Sequence, residues 1–343
     1  MAGRIPTRMG DGSLIELTRD ELRRELEDGA EQGARRAKVP PLGEDELAHL
    51  LDVFASRARF SAVDIGDEVV LSYDGTGTLQ AAKVDGLYQY EQMLGADSCE
   101  LFHPDYSYKA VKPVTSAEAQ LMQEAQNRLT IPVQYGAQAD RGRYSWPAGP
   151  VPNWSQLLPE GRVDEARVAQ EEAVEHVEAD MLHIATALWE AGADGINFDT
   201  TAAAGDAEFL AVLRTVRKLR ERFPDMSIEL GMASEFVLGM HGELEFDGVR
   251  LAGLWPNDQC KLAAAAGATI FGPAVNVNTT RTICWNVARA LTIIRPCVQE
   301  ATIPVHVNAG MGVGGVPMHP DPPLDAISRA SRSFVDVLKV DGL

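Results

Sequence analysis

The sequence predicts an α/β chain built as a closed (βα)8 barrel of the TIM type, preceded by an N-terminal helical and β extension and lacking its last helix. Three observations predict it. From Gly95 onward one unit recurs: a helix ends on Gly or Ala-Gly, an Ala follows, and a short apolar strand begins. Most of the strand-like runs are separated by helical patterns, the alternation that makes a parallel sheet. The 343 residues hold a barrel of ~250 with room for an extension.

Residues 1–92 read as the extension and 93–343 as the barrel domain. Thr18-Arg-Asp-Glu21 has capping-box spacing and opens a helix to about Glu31. Gly43-Glu44 precedes a second helix to about Ser56, and 61–92 carries short β-type pieces among glycines. Eight barrel strands follow: Ser98–His103, Ile131–Tyr135, Gly195–Asp199, Ser227–Met232, Val249–Leu254, Thr269–Gly272, Ile303–Val307 and Val337–Asp341. Helices are expected over Val163–Glu190, Ala207–Arg222 and Thr280–Gln299. Each glycine past a helix end takes the left-handed conformation that other residues resist. The stretch 139–160, with Trp146 and Trp154, reads as a long loop.

Strand side chains alternate between faces. If the apolar residues of each strand face the helices, Glu100, Gln134, Asn197, Asp199, Glu229, His306, Asn308, Lys339 and Asp341 point inward. Barrel interiors are ordinarily apolar, and buried charge is costly unless paired, so a polar interior implies mutual ion pairs or a polar ligand. Lys339 with Asp341 or Glu100 suits the first; Asp199, Glu229 and His306, near strand ends, suit the second. Leu338 and Val340, without a following helix, are expected to be partly exposed.

Composition narrows the function. Fifty Asp and Glu against 31 Lys and Arg leave a formal net charge of −19, a field that repels nucleic acid and anionic lipid. The four cysteines (Cys99, Cys260, Cys284, Cys297) form no CxxC pair and read as reduced thiols of a cytoplasmic protein. No signal peptide or transmembrane run is visible. Scattered histidines show no metal-ligand spacing, so no metal is expected.

An anionic, partly desolvated cup favours a small ammonium ion. Asp199 and Glu229 are the candidate catalytic carboxylates, able to hold the cation and move its proton. Gln134, Asn197, Thr200, Glu235, His241, Asn278, His306 and Asn308 are candidate substrate-binding residues, with loop bracing the alternative role for the asparagines. Thr200, Thr201 and the helix start at Asp206 could instead bind an anion. Gly310-Met-Gly-Val-Gly-Gly315 is a glycine-rich turn followed by Pro317, which excludes a dinucleotide-binding helix. Its Gly312, Gly314 and Gly315 are candidate contacts for a large flat cofactor.

Several strings resemble the dimethylamine methyltransferase family. They are Arg8-Met-Gly-Asp-Gly12, Asp105-Tyr-Ser-Tyr-Lys109 with Val111-Lys-Pro113, and Gly192-Ala-Asp-Gly-Ile-Asn-Phe-Asp-Thr-Thr-Ala-Ala-Ala-Gly-Asp206. Phe223-Pro-Asp-Met226, Gly239-Met-His-Gly242, Leu251-Ala-Gly-Leu-Trp-Pro256 and the 310–315 turn follow in order. The resemblance implies a homo-oligomeric barrel that docks a cognate corrinoid protein over its mouth, with no cofactor held tightly by the chain itself. It implies transfer of a methyl group from dimethylamine to Co(I), releasing methylamine, within methylamine metabolism of the methanogenic type. It also implies a pyrrolysine whose imine takes up the amine. No pyrrolysine stands in this sequence, which stops at Leu343, about where the family places it; an in-frame amber codon read through in the cell is the expectation. Two other readings stay open: a truncated, inactive barrel that only binds a corrinoid or partner protein, and a barrel lyase or aldolase using Lys339 as a Schiff base.

Overall fold

The computed structural model describes residues 3–62, 111–114, 144–147, 149–193, 195–198, 201–202, 205–239, 242–310, 312–319 and 322–343. In chain order the elements are β1 (Ile5–Arg8), β2 (Leu14–Leu17), α1 (Arg19–Ala37), α2 (Glu44–Ala55), β3 (Val111–Val114), α3 (Trp154–Leu157), α4 (Val163–Glu190) and β4 (Gly195–Phe198). Then come α5 (Asp206–Arg222), β5 (Ser227–Ala233), β6 (Glu245–Phe246), β7 (Val249–Arg250), α6 (Pro256–Ala266), β8 (Ile270–Pro273), α7 (Ile283–Glu300) and α8 (Leu324–Ser333), with a π-helical turn over Phe334–Leu338. The chain forms two compact units, Met1–Tyr90 with Gly272–Leu343, and Glu91–Phe271.

In the first unit β1 and β2 make an antiparallel hairpin from Ile5↔Leu17 to Arg8↔Leu14. The sequence predicts no strand there; the turn has Gly12 at φ +90°. Thr18 and Glu21 form the expected capping box, and α1 runs on to Ala37. α1 buries Leu22, Leu26, Gly29, Ala30 and Gly33 against α7. A Cβ added at Gly29 would lie 2.3 Å from the Trp285 carbonyl oxygen, so the two backbones touch there. Polar groups bridge the same contact. The Trp285 indole N–H donates to Asp28 (2.8 Å), the Arg289 guanidinium to Gln32 (2.6 Å) and the Thr282 hydroxyl to Glu25 (2.8 Å). Thr282 also accepts from the Trp285 N–H and so caps α7.

The C-terminal segment departs from expectation. Residues 334–338 wind as a π-helical turn after α8, so the 337–341 strand is not formed as drawn. Lys339 terminates that turn in the left-handed conformation (φ +56°) and is exposed, which removes the buried lysine that a Schiff-base reading requires. Leu338 and Val340 are buried, not exposed. Asp341 spends its carboxylate on the Val305 N–H (2.8 Å) instead of an interior site. Among the described residues a parallel bridge, His306 to Gly342, joins the segments read as the seventh and eighth strands.

In the second unit a sheet runs in the order β3-β4-β5-β8. β4 and β5 are parallel, with Ile196↔Ile228, Asn197↔Glu229 and Phe198↔Leu230 as partners. β3 lies antiparallel on the other side of β4. The architecture is therefore mixed α/β with a parallel core pair, and the described residues form no closed barrel. α4, rich in alanine on its buried face (Ala166, Ala169, Ala173, Ala185), packs on α5 and β4. The expected strand at 249–254 is instead one arm of a tight hairpin, β6–β7. Asp247 (φ +51°) and Gly248 (φ +76°) supply the paired positive φ values of a two-residue Asp-Gly turn, which reverses the chain after two residues. The expected strands 98–103 and 131–135, with Glu100, and the β pieces of 63–92 lie outside the described residues.

Candidate functional site

The side chains of Ile196, Phe198, Ile228 and Leu230 lose all solvent contact. Alternation then puts Asn197 and Glu229 together on the opposite face, as the apolar pattern of the two strands predicts. Because the strands are parallel and these two residues are register partners, the amide and the carboxylate stand at the same level of the sheet. Both are buried, Asn197 at 4% and Glu229 at 7% exposure. Gly231, two residues on, shares that face. A Cβ there would meet the Asn197 side-chain oxygen at 2.6 Å, so glycine makes room for the amide.

The backbone turns sharply where these strands end. Met232 has φ +43° and Ala202 φ +63°, values that L residues with side chains rarely adopt. Such strain persists only where surrounding structure holds it, and it concentrates at binding and catalytic sites. Here the holding contacts are visible. Thr201 N–H donates to the Gly231 carbonyl (3.3 Å), and Ser234 N–H to the Thr201 carbonyl (3.0 Å). Beyond the bend, Glu235 is buried at 5% exposure. Val237 exchanges backbone bonds with Leu254 (2.9 Å) and Gly253 (2.7 Å).

Other expected site residues have structural work. The Thr201 hydroxyl is fully buried and donates to the Phe198 carbonyl (2.7 Å), so it closes the turn after β4 and offers nothing to an anion. Asp206, at the start of α5, accepts from the Ala207 N–H (3.0 Å) and the Gly242 N–H (3.2 Å), placing a carboxylate where an anion would have bound. In the first unit Asn278 braces its own loop. Its side chain accepts from Thr280, while Asn286 accepts from its N–H and donates to its carbonyl. His306 and Asn308 are half-buried along the 305–308 segment, where the Asn308 N–H donates to the Pro273 carbonyl (3.4 Å). Asp199, Thr200, Gln134 and His241 lie outside the described residues.

The glycine turn after Asn308 follows the segment 275–277. Gly314 N–H donates to the Val275 carbonyl and Val277 N–H to the Gly312 carbonyl. Gly312, Gly314 and Gly315 all have positive φ. A Cβ at Gly314 would strike the Asn308 carbonyl oxygen at 2.6 Å, and one at Gly315 the Val287 side chain at 2.3 Å. The chain itself packs closely at the Cβ positions of both residues, which accounts for glycine there. Only at Gly312 is the neighbour the flexible end of a side chain, Met318.

Among the described residues Cys260, Cys284 and Cys297 are buried and form no disulfide. Burial pushes the Cys284 thiol up to about 12, against a smaller opposing hydrogen bond with Thr282. Two features carried no warning in the sequence. One is the bend at Met232. The other is Gln259, a fully buried amide in an alanine-rich helix.

A family model described as dimethylamine methyltransferase matches residues 4–343. No solved structure matches the chain.

Proposed function

The chain belongs to the dimethylamine methyltransferase family, and from that membership we propose that it passes one methyl group of dimethylamine to the Co(I) centre of a cognate corrinoid protein, releasing methylamine. The observation that carries the site assignment is the buried pair Asn197 and Glu229, level with each other on adjacent parallel strands. Dimethylamine is an ammonium ion near neutral pH, with two N–H donors and two methyl groups. A carboxylate and an amide oxygen at one level provide two acceptors. Glu229 matches the charge, Asn197 takes the second N–H, and the two methyl groups are left projecting away from the acceptors. Glu235, buried past the end of β5, is a second carboxylate for the same cation.

The docked corrinoid supplies the cobalt that accepts the methyl group. The chain's own task is to hold the amine still, so that a reaction between two partners gains the advantage of fixed geometry. The positioning proposed here is the part that the carboxylate and amide side chains of this sequence supply. As the C–N bond breaks, its electron pair stays on nitrogen and the product amine becomes neutral. The attraction to Glu229 then falls, which favours release. Discrimination follows from donor count. Trimethylammonium has one N–H and cannot satisfy both acceptors, and methylammonium has a third donor in place of a methyl group.

The test is turnover by the purified chain with dimethylamine and a Co(I)-loaded corrinoid protein, scoring methylamine and methylated corrinoid. Equal amounts of the two are expected. Glu229→Gln, which removes the charge and keeps the shape, is expected to cost about 100-fold in affinity for the amine, the scale of breaking a buried charge pair. Absence of methylamine, or an unchanged Glu229→Gln variant, refutes the assignment.

A further inference from the structure

We propose that Gln259 is a positioning residue for Glu235: its buried amide clamps the carbonyls of Ser234 and Leu254 and so sets the backbone that carries the carboxylate. This rests on the reading of Glu235 as part of the ammonium site. Gln259 has no solvent exposure, and its Nε2 donates to Ser234 (2.8 Å) and to Leu254 (3.0 Å). Its Oε1 makes no hydrogen bond among the described residues, so the side chain acts there as a double donor. The two carbonyls belong to the two backbone segments that Val237 joins by its bonds to Gly253 and Leu254. Ser234 is also tied by its N–H to Thr201, at the exit of β4. One amide in α6 thus fastens the chain immediately before Glu235 to the segment that leads into α6 itself.

The clamp has a reason. Met232 forces the backbone through a left-handed bend two residues before Ser234, and a bend of that kind relaxes unless something opposes it. Without Gln259 the Leu254 carbonyl keeps the Val237 N–H, but the part-buried Ser234 carbonyl loses the amide donor, and an acceptor left short of a partner draws its loop toward water. Losing the clamp therefore moves Glu235 before it unfolds the protein.

The experiment measures dimethylammonium affinity of the full chain by calorimetry, together with melting temperature and deuterium exchange over 234–238. Four variants are compared: Gln259→Met, which keeps length and removes both donors, Gln259→Glu, Glu235→Gln, and Thr215→Val. The last removes a buried hydroxyl bonded to the Ala211 carbonyl within α5 and serves as the destabilised control. Gln259→Met is expected to weaken binding about tenfold, the effect of roughly one neutral hydrogen bond, and to speed exchange over 234–238. Thr215→Val is expected to lower the melting temperature without either change. Gln259→Glu is expected to bind weakly at neutral pH, where an ionised carboxylate faces two carbonyls. Relative to wild type at the same pH, it should recover when acid protonates the introduced carboxyl and restores one donor.

The two failures are distinct. If Glu235→Gln leaves affinity unchanged, Glu235 is not in the ammonium site, and that reading falls with the inference. If Glu235→Gln weakens binding while Gln259→Met does no more than Thr215→Val, the positioning role alone is wrong. Should Gln259→Met fail to fold, absence of acid recovery in Gln259→Glu overturns the proposal.

Discussion

Between α1 and α7 the polar side chains bind one another across the helices, whereas along β4 and β5 they gather on one strand face beside a backbone that bends sharply. In the first region Trp285 meets Asp28, Arg289 meets Gln32 and Thr282 meets Glu25, and Gly29 and Gly33 let the helix backbones approach. Those bonds join residues about 257 positions apart in sequence, so they are framework. In the second region Asn197 and Glu229 are buried register partners, Glu235 is buried past the end of β5, and Ala202 and Met232 hold left-handed conformations. A protein invests buried polar groups in two ways: to tie distant segments together, or to present charge and acceptors to a ligand. At β4 and β5 the buried polar pair stands beside two left-handed residues, Ala202 and Met232, the combination expected of the second way.

The contrast predicts that changes in the α1–α7 contact cost stability and leave amine affinity alone, with the reverse at the strand ends. The largest effect is expected from Gly29→Ala, whose methyl group would press into the Trp285 backbone. It should cost about 3 kcal/mol in denaturant unfolding. Folded Gly29→Ala protein with reduced dimethylammonium affinity would break the comparison.

The next effect is a pH dependence. Burial raises the Cys284 thiol from 9.0 to about 12 in the folded chain. The stability this represents is complete below the unfolded value and is lost as pH rises through the window from 9.0 to about 12, because the unfolded chain ionises first. Between pH 9 and pH 11 wild type should therefore lose about 2 kcal/mol more than Cys284→Ala. Parallel curves would show that the thiol is not held neutral. The smallest effect is expected at the other region. Met232→Gly relieves a left-handed side-chain clash and gives back part of it as chain entropy, a net gain of about 0.5 kcal/mol. A gain in melting temperature with weaker amine binding would sharpen the comparison, and a loss in both would contradict the strain argument.

Much of this was legible in the residues. α4 runs over the very span its apolar period predicts, and Thr18 with Glu21 marks the start of α1. The parity of Ile196, Phe198, Ile228 and Leu230 places Asn197 and Glu229 on a common face, because alternation is a local rule. Errors came where one short pattern fits two structures. Val337-Leu-Lys-Val-Asp341 alternates like a strand, yet Phe334–Leu338 continues a helix whose apolar side, Phe334, Val335 and Leu338, is buried. Val249–Leu254 has the composition of a strand, but the Asp247-Gly248 turn beside it closes a two-residue hairpin arm instead. Gln259 could not be found from sequence at all: its partners are backbone carbonyls, which leave no mark on residue type.

The account depends on Glu229 and Asn197 receiving an ammonium ion together. A crystal structure of the chain soaked with dimethylammonium tests this directly. The amine nitrogen is expected about 3 Å from both the Glu229 carboxylate and the Asn197 side-chain oxygen. Dimethylammonium bound elsewhere, away from both side chains, would contradict it.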